Sequence, residues 1–128
     1  MIGRREVIQA SDAPAALGPY SLAIKTDEHV FLSGTIGVNP ETGSLVEGGV
    51  GAEARQALTN MKNVLQAAGS ELGNVVKTTV FLTDIEDYGE VNEVYAQFFD
   101  SEPPARSAVQ VVALPGGALV EIEAIALH

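Results

Sequence analysis

The C-terminal run from Pro103 to His128 constrains the fold most strongly, because it contains two extended apolar segments. These segments are Ala105–Val112 and Ala118–His128, and a Pro-Gly-Gly turn at residues 115–117 joins them. Two strand-like segments connected by a turn of this kind are typical of a β-hairpin. The sequence therefore predicts that the chain ends in a hairpin, with the second segment as a well-formed strand.

Charged residues are placed unusually in this run. Arg106 is the only Lys or Arg after Lys77, although nine acidic residues occupy the same span. Strand alternation puts Glu121 and Glu123 on one face of the second segment, and spacing alone does not separate their roles. One interpretation is a structural ion pair between Arg106 and a carboxylate. The other is an anion-binding site, in which the guanidinium holds a substrate carboxylate and a nearby glutamate handles a proton or water.

Composition narrows the class of protein. A chain of 128 residues fits one domain, taken here as residues 1–128. Hydrophobic residues make up 46% and charged residues 19%, which favours a homo-oligomer that covers apolar surface. The absence of Cys excludes disulfides and thiolate chemistry. A net charge of −10 argues against a nucleic-acid surface. Without a membrane-length apolar run or a signal-peptide core, we expect a cytoplasmic protein.

Hydrophobic periodicity predicts the remaining elements. The first helix, which ends at Gly69, has a buried stripe and a polar face that includes Glu53 and Asn60. The stripe consists of Ala54, Ala57, Leu58, Met61, Val64, Leu65 and Ala68. The other expected elements are strands at Arg4–Gln9, Ser21–Lys25, His29–Ser33 and Val75–Thr83, and a helix at Tyr88–Phe99. This order predicts an α+β fold in which two helices pack on one face of a mixed sheet. The other face is then left for another subunit to cover.

Several polar residues are candidates for a site, each with a plain structural alternative. Tyr20 follows a rigid Gly-Pro loop and is either a pocket residue or an aromatic at the core edge. Ser33 and Gly34 end a strand and form either an anion site or a tight turn. Asn92 lies between the buried positions of the second helix, where an amide is either functional or solvated. The two histidines, His29 and His128, lack ligand spacing, so no metal site is expected.

Six segments together resemble the Rid family, the reactive-intermediate deaminases of RidA type. The resemblance runs in order over nearly the whole chain without large insertions, and it is the combination that is specific. The segments are Gly18-Pro19-Tyr20-Ser21, Ser33-Gly34-Thr35-Ile36, Lys77–Asp84, Val91-Asn92-x-x-Tyr95-x-x-Phe98-Phe99, Pro104-Ala105-Arg106-Ser107 and Val120–Ala126.

The resemblance implies a chorismate-mutase-like α+β fold, assembled as a homotrimer with active sites in the clefts between subunits. It also implies hydrolysis of enamine and imine intermediates, chiefly 2-aminoacrylate and 2-iminobutanoate, to 2-keto acids and ammonia without metal or cofactor. Arg106 would hold the substrate carboxylate and Glu121 would position the attacking water. The pocket would be lined by Tyr20, Ser33, Gly34 and Asn92.

One position departs from the family pattern. Members of this type often carry Cys two residues after the arginine, and this chain has Ala108 there. The resemblance implies a substrate contact through the main-chain carbonyl at that position, so we expect activity without a thiol-dependent switch. Two other functions are weighed against the deaminase. One is a non-catalytic trimer that binds small carboxylates or has a regulatory role, and the other is an endoribonuclease or translation inhibitor, which the charge of −10 disfavours.

Overall fold

A computed structural model describes residues 3–128 as one six-stranded mixed sheet with two α-helices. The elements in chain order are β1 (Glu6–Ile8), β2 (Ala23–Lys25), β3 (His29–Thr35), α1 (Val50–Ala67), β4 (Val75–Leu82), α2 (Tyr88–Phe98), β5 (Ala105–Gln110) and β6 (Val120–Leu127). The strands lie in the order β1-β2-β3-β6-β4-β5, and all neighbouring pairs are antiparallel except β4 and β5. The predicted α+β class is confirmed.

Helix α1 supplies much of the core. Its predicted apolar stripe is buried throughout, and Leu58, Met61 and Leu65 are among the largest fully buried side chains. The prediction that Glu53 and Asn60 lie on the polar face is wrong, because these side chains are only 5% and 1% exposed. Each bonds to backbone groups of neighbouring segments, and these bonds compensate for burial of polar atoms.

The predicted C-terminal hairpin is also wrong. β5 and β6 do not pair with each other: β5 runs parallel to β4, and β6 lies between β3 and β4. Parallel strands require a crossover connection, and α2 provides it between β4 and β5. The chain must then cross the end of β4 to reach the place of β6. The predicted Pro-Gly-Gly turn is present, but it belongs to this crossing connection.

The two faces of the sheet differ. Alternate residues of β6, such as Ile122 and Ala124, are buried beneath the helices, whereas Glu121 and Glu123 point to the other side. This other side, called the open face below, carries exposed apolar residues such as Phe31 and Val109, at 44% and 43% exposure. Over residues 3–128, helices cover only the opposite face.

Candidate active site

A cavity of about 660 Å³ lies beside the end of β3. Its walls come from the 10–22 loop, from the segment that follows β3, and from Glu121 and Glu123 on β6. Most of the lining is apolar, with a few polar groups from Tyr20, Ser33 and the two glutamates. Such a cavity is typical of a small-molecule site.

A β-bulge places Gly34 directly against the Glu121 side chain. Between Leu32 and Thr35, β3 has one more residue than the facing part of β6. A Cβ atom at Gly34 would lie 2.6 Å from Cδ and 2.7 Å from Cγ of Glu121. The carboxylate therefore occupies space that only a glycine leaves open.

The electrostatics of Glu121 favour its protonated form more than usual. Burial of the side chain raises the pKa of Glu121, and the negative charge of Glu123 raises it further. A carboxyl group with a raised pKa, in a largely apolar cavity, can exchange a proton nearer to neutral pH than an exposed glutamate.

Tyr20 and Ser33 complete this part of the site. The Tyr20 hydroxyl accepts a hydrogen bond from the Leu17 backbone N–H at 3.1 Å, which ties the ring to its own loop. The Ser33 hydroxyl donates to the Ser21 carbonyl at 2.6 Å. We call Tyr20, Ser33, Gly34 and Glu121 the acidic half-site, since they line one cavity.

Two residues of α1 support the acidic half-site from behind. The Asn60 amide donates to the carbonyl oxygens of Ile36 and Val38, at 3.1 and 2.9 Å, and so fixes the cavity wall after β3. The Glu53 carboxylate accepts a hydrogen bond from the Leu119 N–H at 2.9 Å, two residues before Glu121. From the sequence, both residues are assigned to the exposed face of the helix because their side chains are polar. Their helical spacing with Ala57 and Val64 was the available signal.

Arg106 lies at a different place, against α2. Its guanidinium carbon is 4.7 Å from the ring centre of Tyr95 and 5.4 Å from that of Tyr88. Its Nη2 atom donates to the Tyr88 hydroxyl at 2.9 Å. Asn92 lies one turn further along α2, near Tyr88. The nearby Asn92 amide, followed by the Arg106 charge, lowers the pKa of Tyr88. We call Arg106, Tyr88 and Asn92 the arginine half-site.

Within one chain the two half-sites lie on opposite faces of the sheet. Arg106 pairs with Thr78, whose buried hydroxyl bonds to Tyr95 of α2 at 2.7 Å, so Arg106 is on the helix face. Glu121 pairs with Phe81, which lies three residues after Thr78 on β4. Because side chains alternate between faces along a strand, Phe81 and Glu121 lie on the open face. The structure thus brings Tyr20, Ser33 and Gly34 together with Glu121, but not with Arg106.

Ala108, the remaining predicted site residue, lies two residues after Arg106 on β5. Its side chain packs against the core between sheet and helices, so only its backbone is available to a ligand. β5 is an edge strand, and part of its backbone has no partner strand among residues 3–128.

The chain is a small α+β protein whose apolar cavity, and whose guanidinium without a carboxylate partner among residues 3–128, are features typical of a site for a small anionic molecule. In the described part of the chain, no group of three or more His, Asp or Glu side chains is placed to hold a metal ion. Neither α-helix described here is long and apolar enough to cross a membrane.

Comparison with known proteins identifies the family. The model of the family described as Endoribonuclease L-PSP matches residues 10–128. The human 2-iminobutanoate/2-iminopropanoate deaminase is 54% identical over 124 residues, which cover 97% of this chain and 90% of the relative. The crystal structure of RidA from the Antarctic bacterium Psychrobacter sp. PAMC 21119 is 46% identical with a TM-score of 0.93, covering 96% of this chain and 99% of that chain. The crystal structure of E. coli TdcF with bound serine is 44% identical with a TM-score of 0.92, covering 96% of this chain and 98% of that chain. The chain belongs to this family, and its relatives place it among the Rid proteins.

Proposed function

We propose that this protein hydrolyses enamine and imine intermediates, chiefly 2-aminoacrylate and 2-iminobutanoate, to 2-keto acids and ammonia. The carrying observation is the 54% identity, over 97% of the chain, to proteins named 2-iminobutanoate/2-iminopropanoate deaminase. The two half-sites are consistent with this chemistry. One contains a guanidinium suited to a carboxylate, and the other contains a carboxyl group whose pKa is raised.

The complete site is proposed to form between subunits of a homotrimer. Arg106 and Glu121 lie on opposite faces of one sheet, so one chain does not supply both to a single substrate. The open face carries Glu121 together with exposed apolar residues such as Phe31 and Val109, which favours association with another copy. In a cyclic trimer each interface is the same, so three equivalent sites would form.

The proposed chemistry begins with binding of the substrate carboxylate by the Arg106 guanidinium, which donates two parallel N–H bonds. Glu121 accepts a hydrogen bond from a water molecule and takes its proton as the water oxygen bonds to the imine carbon. The C=N electron pair moves to nitrogen, which receives the proton from Glu121, and a tetrahedral carbinolamine results. Glu121 takes the hydroxyl proton and passes it to the amino nitrogen, the C–N bond breaks, ammonia leaves with its electron pair, and the keto group forms.

The other predicted residues have supporting roles in this scheme. Tyr20 and Ser33 line the cavity, Gly34 gives Glu121 its space, and Asn92 orients the arginine half-site. The Ala108 carbonyl is proposed to contact the substrate from the edge strand. Because the imine carbon is already electrophilic, orientation and placement of water account for most of the required catalysis.

A non-catalytic protein that binds small carboxylates is the second candidate. The observation that favours it is the structure of E. coli TdcF with bound serine, at 44% identity. The arginine half-site alone would serve such a function. The family description also includes a nuclease name, but a net charge of −10 disfavours binding of RNA.

A coupled assay separates the two candidates. A serine/threonine dehydratase generates the imine in solution, and release of the keto acid is followed with and without this protein. We expect acceleration that Arg106→Ala abolishes, whereas Arg55→Ala, which removes an exposed arginine from α1, retains it. If wild-type protein binds 2-oxobutanoate but gives no acceleration, the binding protein is the correct description.

A further inference from the structure

Arg106 forms no ion pair with a carboxylate among residues 3–128. Over residues 3–128, the one ion pair within 4 Å joins Arg4 and Glu6, although the chain has 17 acidic residues. The neighbours of the Arg106 side chain are instead the rings of Tyr88 and Tyr95 and the Tyr88 hydroxyl. The guanidinium is therefore held by neutral groups, and its positive charge is left for an external anion.

We propose that Tyr88 is a positioning residue that orients the Arg106 guanidinium for the substrate carboxylate. This inference rests on the proposed function and assigns a role to a residue outside the predicted site. The Tyr88 hydroxyl accepts one N–H from Nη2 at 2.9 Å. A guanidinium has five N–H donors, so four remain, and a bidentate carboxylate needs two of them.

The chemistry of a tyrosine suits this role. A carboxylate in its place would also hold the guanidinium, but it would neutralise the charge that binds the substrate. Tyr88 is the first residue of α2, and its side chain has only two rotatable bonds. It therefore loses little conformational entropy when it supports the more flexible arginine side chain. Asn92 lies one turn further along α2, beside the same Tyr88 side chain.

The contact has an optical signature that does not depend on turnover. The nearby Asn92 amide and then the Arg106 charge lower the pKa of Tyr88. A carboxylate bound to Arg106 offsets that positive charge and draws the guanidinium toward itself. Binding should therefore raise the pKa of Tyr88, which an ultraviolet titration of tyrosinate detects.

The test is Tyr88→Phe, which keeps the ring and removes the accepting oxygen. We expect KM for the imine, and the dissociation constant for 2-oxobutanoate, to rise about threefold to tenfold. We expect kcat to change less than about twofold, since the contact acts equally before and during reaction. In the wild type, 2-oxobutanoate should shift the tyrosinate titration, and the absence of that shift in Tyr88→Phe assigns it to Tyr88.

Tyr95→Phe is the matched variant, since it deletes a hydroxyl from the same helix. The Tyr95 hydroxyl bonds to buried Thr78 rather than to Arg106, and its ring stays beneath the guanidinium. Its Tm should fall, because the Thr78 hydroxyl loses its partner, and its KM should change less than that of Tyr88→Phe.

The possible results distinguish this inference from the proposed function. If wild-type protein neither accelerates imine hydrolysis nor binds 2-oxobutanoate through Arg106, the proposed function itself fails. If the wild type does both, and Tyr88→Phe retains KM and 2-oxobutanoate affinity, the positioning role of Tyr88 is overturned.

Discussion

Replacement of Gly34 by alanine tests whether the rate depends on the position of the Glu121 carboxylate. The new Cβ would lie 2.6 Å from Cδ of Glu121, where ordinary contact begins at 3.4 Å. The carboxyl group must therefore move by about 0.8 Å, and a displacement near 1 Å is sufficient to slow a positioned reaction by up to about 100-fold. We expect kcat to fall about 10- to 100-fold.

Stability should change little in the same variant. The obstructing atoms belong to the end of a flexible side chain rather than to backbone, and Gly34 has no positive φ angle. Alanine is also favoured over glycine within a strand by about 0.5–1 kcal/mol. The free energy of unfolding should therefore differ from wild type by less than about 1 kcal/mol.

The coupled imine assay gives kcat, and urea denaturation gives the free energy of unfolding. Gly89→Ala is the matched control, because its Cβ meets no atom within 4 Å in α2. It should retain kcat and gain about 0.5–1 kcal/mol of stability. A Gly34→Ala variant with wild-type kcat would refute the argument that this glycine exists to place Glu121.

Three further substitutions probe the surroundings of the acidic half-site. Glu123→Gln removes a negative charge that raises the pKa of Glu121, so the acid limb of the pH–rate profile should move to lower pH. Glu121→Gln should abolish turnover and raise Tm at neutral pH, because the raised pKa means that the charged carboxylate opposes folding there. As the pH falls through the raised pKa, Glu121 becomes protonated, and the wild type should regain stability relative to this variant. Thermal denaturation at several pH values measures the difference in Tm. Gly37→Ala would bring a Cβ to 2.6 Å from the backbone Cα of Glu53, so urea denaturation should show a loss of about 1–3 kcal/mol. Unchanged values in these three measurements would contradict the described packing and electrostatics.

Periodicity in the sequence was sufficient for elements whose burial follows a simple repeat. The buried stripe of α1 and the alternation of β6 follow directly from spacings of about 3.6 and 2 residues. For the same reason the sequence placed Glu121 and Glu123 correctly on one face. The structure confirms both of these predictions.

Strand partners could not be read in the same way. A Pro-Gly-Gly turn is a local signal, whereas the partner of β5 is decided by the α2 crossover and the pairing of β4 with β6. Burial of Glu53 and Asn60 was missed because their bonds to distant backbone groups are not visible in the sequence, although both residues lie in helical register with the buried stripe. In the sequence, Tyr88 is marked only as the start of a helix. Its contact with Arg106 depends on how β5 packs against α2, which no local pattern predicts.

Mixing two inactive variants tests directly whether the site is assembled between subunits. Arg106→Ala and Glu121→Gln proteins are each expected to be inactive, and they are mixed in equal amounts, unfolded and refolded together. If each site takes its arginine and its glutamate from different subunits, about one quarter of the sites in random trimers contain both native residues. Activity should therefore return to about a quarter of the wild-type value. If mixed trimers form, as native mass spectrometry can verify, and activity stays at the level of the parents, then a site shared between subunits is contradicted.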